Sequence, residues 1–425
     1  MSDRATQIVR IEKPVYGGDF LARTEGKTLF VPLALPGEAV RAHVASEKSG
    51  YANAEIDAIV EAASCRVMPR CARFGVCGGC QYQHADDAAQ IQFKREILRE
   101  VLERGGVAVE DEIGVLADKP WGYRNRIRLT FDAQGRLGYR GRRSHNVVPI
   151  SECPIAAPLL MEAAAVFAES VQALKQKPTE VTLFCNADET ALLVSAVFAR
   201  VPKLNVDTLG RELAARVPAL KGIDVLVAGR GNEQPRSIAR WGETSLTYDA
   251  AGFSYRVDEG AFFQVNRFLI DRFVQLVTAG NTGRLAWDLF AGVGLFARQL
   301  TAGFERVVAV ESSSASTQAL AANLKFTRST PVRAATLDFL RRDHGDAGPD
   351  LVVVDPPRSG LGTEVVSKLV EIGAAEIVYV SCDPATLARD LSALLKGGYL
   401  LNHVTLVDLF PQTFHLETVV QLKRA

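Results

Sequence analysis

Ser381-Cys382-Asp383-Pro384 sets a lone cysteine directly after the apolar run Glu376-Ile-Val-Tyr-Val-Ser and directly before an Asp-Pro turn. A cysteine on its own is usually a small, inert hydrophobe. One at the carboxyl end of a strand in an open α/β sheet faces the ligand crevice instead, where its thiolate is a strong nucleophile. Glu417, in Phe410-Pro-Gln-Thr-Phe-His415-Leu-Glu417, is a candidate general base, and His415 alternates onto the same face, where it is expected to orient Glu417. The competing reading of Glu417 is a surface charge on an edge strand.

A second set of residues suits a nucleotide-like ligand. Asp288-Leu-Phe-Ala-Gly292-Val-Gly294-Leu-Phe-Ala leaves a strand and enters a helix, and its two glycines allow a tight turn close to a ligand. Glu311 ends the next strand, where a carboxylate accepts ribose hydroxyls. Gly292-x-Gly294-x-x-Ala297 fits a dinucleotide loop as well as a methyl-donor loop. Two features favour the methyl donor. Asp288 suits a cation better than a pyrophosphate, and Asp355-Pro-Pro-Arg358 follows a strand where methyltransferases place catalytic or donor-binding groups. A rigid turn is the plain alternative for Asp-Pro-Pro.

Seven cysteines are present, an odd number that suits metal binding and catalysis better than a disulfide framework. Cys71, Cys77 and Cys80 lie within ten residues, and Cys153 is the distant fourth candidate; Cys65 ranks below it. Gly78 and Gly79 leave backbone amides free to hydrogen-bond cluster sulfides. Zinc uses the same four residues, so spacing does not separate zinc from iron–sulfur.

These residues need scaffolds. Residues 8–60 read as short strands with glycine-rich turns, a small antiparallel barrel. A helix is expected over 86–103, with Ile91, Ile97, Leu98 and Val101 toward a core. Residues 123–258 are mixed, with Arg124-Asn-Arg-Ile-Arg-Leu-Thr-Phe alternating like a strand. From about Gly283, continuous apolar runs alternate with helical segments, the pattern of parallel strands covered on both faces. The expected division is 1–63 barrel, 64–260 central domain with the cysteines and a basic segment, and 261–425 catalytic domain.

At 425 residues the chain exceeds one ordinary core, and 48% hydrophobic with 23% charged residues is an ordinary globular balance. No apolar run approaches the ~20 residues that span a bilayer, and no secretory pattern opens the chain. A cytoplasmic monomer without a membrane partner is the expectation. Formal net charge is zero, yet residues 121–150 hold seven arginines (124, 126, 128, 136, 140, 142 and 143) against one acid, Asp132. A basic stripe on a neutral protein suits a large RNA bound in one groove.

A thiol with a base beside a methyl donor has a specific use. Carbon 5 of uracil is too weak a nucleophile to take a methyl group directly. A thiolate added at carbon 6 makes the ring an enolate that attacks through carbon 5, and a base then removes the carbon-5 proton.

Over essentially its whole length the chain resembles the RNA uridine-5 methyltransferases of ribosomal and transfer RNA. The carriers are Cys71-x5-Cys77-Gly-Gly-Cys80, Phe263-Gln264-Val-Asn266, Asp288 to Phe296, Asp355-Pro-Pro-Arg358, Ser381-Cys382-Asp383-Pro384 and His415-x-Glu417. The resemblance implies a class I, Rossmann-like S-adenosylmethionine-dependent methyltransferase domain of α/β class. It also implies an amino-terminal OB-like TRAM barrel and a central mixed α/β iron–sulfur domain. Cys382 is implied as nucleophile, Glu417 as proton acceptor, and Gln264, Phe290, Glu311, Asp338 and Asp355 as donor contacts. A 4Fe–4S cluster on Cys71, Cys77, Cys80 and Cys153 is implied over zinc. The partner implied is RNA, ribosomal RNA first and transfer RNA second. Leu295 departs from members with asparagine after the second loop glycine, so that hydrogen bond is absent or replaced. Rival readings are an amino-methyltransferase, where an aromatic residue usually stands in place of Arg358, a non-catalytic iron–sulfur RNA-binding protein, and a nicotinamide oxidoreductase.

Overall fold

The computed structural model describes residues 6–24, 26–231, 233–344 and 348–425. Strands Thr6–Pro14, Asp19–Thr24, Lys27–Pro32, Ala39–Lys48 and Tyr51–Glu61 close into a barrel around Phe20, Leu29, Val31 and Val40. The central domain is a seven-stranded sheet in the order Arg236–Gly242, Leu220–Val227, Leu192–Phe198, Glu180–Cys185, Arg126–Phe131, Leu137–Arg140 and Val147–Pro149. Helices Pro158–Ser170 and Val206–Arg216 pack on it through Leu160, Phe167, Leu209 and Leu213.

The catalytic sheet has eight strands, in the order Ser329–Arg333, Phe304–Glu311, Gly283–Leu289, Leu351–Val354, Glu376–Ser381, Glu417–Arg424, Tyr399–Val407 and Gly114–Leu116. The first five run parallel, and the Tyr399–Val407/Glu417–Arg424 hairpin closes the sheet with its second strand antiparallel to Glu376–Ser381. Alternate residues of the buried strands feed two cores: Ala286 faces one, Trp287 and Leu289 the other. Double-sided burial is why these strands read as unbroken apolar runs.

The sheets do not follow the expected division at residues 64–260. Helix Asp87–Arg104 and strand Gly114–Leu116 join the catalytic sheet, because Ile97, Leu98, Leu102, Val107 and Ile113 bury in its core. The hairpin Ser245–Ala250/Phe253–Asp258 packs on the opposite catalytic face through Leu246, Tyr248 and Tyr255. Asp86 caps that helix, its Oδ1 accepting the Ala89 amide at 2.8 Å. Gly105 ends it so close to helix Pro384–Lys396 that a Cβ there would lie 2.6 Å from Ala388 Cβ. As expected, Ile97 and Leu98 lie in that catalytic core and Ile91 and Val101 pack against it, and Gln90, Phe93 and Lys94 are buried as well.

Candidate functional site: a thiol and two carboxyls at the strand ends

Strand Glu376–Ser381 delivers Cys382, and Asp383 starts helix Pro384–Lys396 by accepting the Ala385 and Thr386 amides at 3.0 Å each. The neighbouring strand begins at Glu417, with Thr418 paired to Ser381, so Cys382 and Glu417 sit at the same sheet end. Glu417 is 5% exposed on an interior strand, which removes the edge-strand reading.

Cys382, Glu417, Asp355 and Arg358 are electrostatically joined here. Burial, then the charges of Glu417 and Asp355, push the Cys382 thiol up to about 11, against the opposing pull of Arg358. Burial raises Asp355 to about 7. Burial and Asp355 raise Glu417 well above the usual carboxylate range. An acidic pocket of this kind favours a cation and holds its own protons until one arrives. His415 does not orient Glu417 as expected: its Nδ1 lies 3.2 Å from Arg358 Nη2, and burial holds the ring neutral with a pKa near 4.

The glycine loop turns at Phe290 (φ 67°), Gly292 (φ 55°) and Gly294 (φ 88°), the last opening helix Leu295–Leu300. Phe290 carries a left-handed conformation that disfavours a side chain, a strain typical of ligand loops. Glu311 accepts the Gly292 amide at 2.9 Å and those of Ser312 and Ser313 at 2.7 and 2.6 Å. Gln264, Phe290, Gly292, Leu295 and Asp355 line one cleft. Asp338 lies outside it, exposed on the first turn of helix Thr336–Leu340. Asp288 does not face the cleft as a counter-charge. It is fully buried, accepts the Ala297 amide at 2.8 Å, and burial raises it to about 8. Leu295 is buried at the helix start, and its carbonyl accepts the Tyr255 hydroxyl at 3.1 Å.

The segment leading to Glu417 is held from many sides. Lys94 Nζ donates to Asp408 Oδ1 at 2.6 Å and to the Phe410 carbonyl at 2.9 Å. Gln412, at φ 69°, exchanges hydrogen bonds with Gln90 and donates to Asp87. Its carbonyl accepts the Gln81 and Tyr82 amides, Tyr123 donates to the Pro411 carbonyl, and Asn266 to the Leu409 carbonyl. Sequence reasoning missed Lys94 and Gln90; the available signal was two polar residues on the apolar face of a helix. It also missed Asp390, whose buried carboxylate accepts the Leu361 amide and the Tyr379 hydroxyl and so fixes the loop after Asp355. With Lys94 and Asp408 side chains 1% and 8% exposed, Lys94→Met strands a buried carboxylate. It is expected to cost roughly 3–5 kcal/mol in urea unfolding, and partial recovery is expected in Lys94→Met/Asp408→Leu. Wild-type stability in the single variant would contradict the anchor.

Cys77, Cys80 and Cys153 influence one another electrostatically, and Cys71 influences Cys77. Gly79 N–H donates to Cys77 Sγ at 3.4 Å, while the Ile155 and Ala156 amides and the Tyr139 hydroxyl point at Cys153. Among the described residues, no three His, Cys, Asp or Glu side chains converge on the position of a single metal ion. Cys65 lies elsewhere, against the barrel core, and Cys185 is buried in the central core.

Part of the basic stripe pairs within the protein, while Arg128, Arg136, Arg140 and Arg143 remain exposed. Arg126 lies 4.1 Å over the Phe184 ring and donates to the Ala261 carbonyl. Arg124 is half-buried beside Tyr123 and Phe410. Arg128 pairs with Glu180 and Arg136 with Asp132. Arg142 and Arg143 clip the hairpin to the barrel through Glu55 and Asp19. Arg140 Nη1 lies 3.3 Å from His145 Nδ1. The alternation is real, and the partner strand and the barrel take up part of the charge.

A family model described as tRNA (Uracil-5-)-methyltransferase matches residues 345–425, and one described as TRAM domain matches residues 3–56. A 23S rRNA (uracil(1939)-C(5))-methyltransferase of Halomonas elongata is 33% identical over 438 residues, covering 97% of this chain and 88% of that protein. A protein of the same description from Chromohalobacter salexigens is 34% identical over 441 residues, covering 99% and 90%. In fold, the chain is similar to the crystal structure of Pyrococcus abyssi tRNA (uracil-54, C5)-methyltransferase in complex with S-adenosyl-L-homocysteine. That match has a TM-score of 0.77 at 24% identity, over 98% of this chain and 100% of that one.

Proposed function

The chain belongs to the RNA uracil-5 methyltransferase family, and from that premise we propose that it uses S-adenosylmethionine to form 5-methyluridine in 23S ribosomal RNA, with Cys382 as nucleophile and Glu417 as base. The observation that carries the reading is the single electrostatic pocket shared by Cys382, Glu417 and Asp355. The donor, when bound, supplies an electrophilic methyl group and a positive charge. Gln264, Phe290 and Asp355, which line the cleft, and Glu311 beside Gly292 are assigned to hold it, with Asp338 as a further contact outside that cleft. Cys382 Sγ adds to carbon 6 of uracil, and the electron pair that moves to the ring lets carbon 5 take the methyl group. Glu417 then accepts the carbon-5 proton, the carbon 5–carbon 6 double bond reforms, and the thiolate leaves. Arg358, which opposes the upward shifts of both Cys382 and Glu417, supports their charged forms.

Cys71, Cys77, Cys80 and Cys153 are assigned to a 4Fe–4S cluster. Electrostatic influence links Cys77 to Cys71, Cys80 and Cys153, and the Gly79 amide that donates to Cys77 Sγ is the kind of contact that cluster thiolates accept. A cluster held there would brace the Leu137–Arg140/Val147–Pro149 hairpin, which bridges to Cys77 through Gly141. Ribosomal RNA is preferred over transfer RNA because the two relatives above carry 23S rRNA in their names.

Mapping 5-methyluridine in RNA from cells with and without this gene tests the assignment. Loss at one 23S site is expected. Loss from transfer RNA instead would reassign the substrate, and no loss anywhere would overturn the reading.

A further inference from the structure

Tyr16 sits on the barrel, in Tyr16-Gly-Gly-Asp between strands Thr6–Pro14 and Asp19–Thr24. Its ring does not join the barrel's own core; it packs against the catalytic core on the helix Pro384–Lys396 face. Phe414, from the segment that carries His415 and Glu417, does the reverse and packs against the barrel core. The two rings meet edge to face with centroids 5.7 Å apart. The interlock is tight: Gly18 has no room for a side chain, since a Cβ there would lie 2.7 Å from Gln81 Cγ and 3.4 Å from Phe414 Cβ.

The hydroxyl of Tyr16 donates to Asp383 Oδ2 at 3.3 Å. Asp383 Oδ1 is already committed to the Ala385 and Thr386 amides, so the two oxygens together fix the residue that follows Cys382. On the other side, Phe414 lies against His415 with ring centroids 4.3 Å apart, and His415 meets Arg358. One barrel side chain therefore touches the nucleophile's turn and the base's segment at once.

Resting on the methylation reading above, we propose that Tyr16 is a positioning residue for the reaction, so that the barrel completes the active site rather than serving only to hold RNA. Tyr16 acts through Asp383 on the direction of Cys382 Sγ, and through Phe414 on the segment ending at Glu417. Small displacements at such positions cost rate rather than affinity.

The test compares the full-length protein with Tyr16→Phe and Tyr16→Ala in single-turnover methylation at saturating RNA and donor. RNA affinity and thermal unfolding are measured alongside. Tyr16→Phe, which keeps the ring, is expected to slow methylation about tenfold while RNA affinity and unfolding midpoint stay at wild-type values. Tyr16→Ala, which loses the ring as well, is expected to slow it about a hundredfold. A Tyr16→Phe rate equal to wild type, or a defect that disappears at saturating RNA, would overturn the proposal. Failure of the wild-type protein itself to methylate any uridine RNA would overturn the underlying reading instead.

Discussion

Cys382→Ala is expected to abolish methylation, by a factor of at least ~10⁴, or roughly 5 kcal/mol of barrier. The size follows from the substrate. Without a carbon-6 adduct, carbon 5 carries too little electron density to displace a methyl group. The fold should be untouched. Cys382 is half-buried, so removing its sulfur alters packing by no more than ~1 kcal/mol. The glycine loop and Asp355 are unchanged, so donor binding measured by calorimetry should match wild type. Residual activity within tenfold of wild type would remove Cys382 from the mechanism.

Glu417→Gln is expected to separate the two halves of the reaction. Methyl transfer needs the thiolate, whereas release needs a proton acceptor. The variant should therefore accumulate a methylated protein–RNA adduct on ordinary uridine RNA while turnover falls ~10²–10⁴-fold. The wild type carries a related pH signature. Burial and Asp355 hold the Glu417 carboxyl well above its usual range, so its proton-accepting form is scarce at low pH and grows as pH rises. Release should accelerate with rising pH in the wild type, with adduct accumulating toward acid. The Gln variant should lack that dependence. Normal turnover by Glu417→Gln, resolved on a denaturing gel beside product formation, would return Glu417 to a structural role.

The parts of the molecule that repeat with a period were the legible ones. Double-sided strands such as Arg306-Val-Val-Ala-Val-Glu311 and the turn chemistry of residues 8–60 forecast a doubly wound sheet and a barrel, because burial pattern and backbone geometry act locally. Strand ends then put Cys382 and Glu417 side by side. What stayed hidden depends on partners distant in the chain. Lys94 looks like an interruption of an apolar helix face until Asp408 arrives 314 residues later. Arg124, Arg126 and Arg128 alternate as expected, but their strand pairs with Glu180–Cys185, whose Phe184 and Glu180 take up two of them. Asp288 was legible as an acid before the loop, yet its role is to hold the Ala297 amide. Tyr16 gave no signal beyond a turn, since its meaning lies in Asp383 and Phe414.

The most direct test of thiolate addition is an intact-mass measurement after incubation with 5-fluorouridine RNA and S-adenosylmethionine. Fluorine at carbon 5 leaves no proton for Glu417 to remove, so the reaction should stop at the covalent stage. The expected species is protein plus RNA plus one methyl group, with the linkage on the peptide containing Cys382. An enzyme that methylates ordinary uridine RNA yet forms no such adduct, or forms it on another cysteine, would contradict the mechanism.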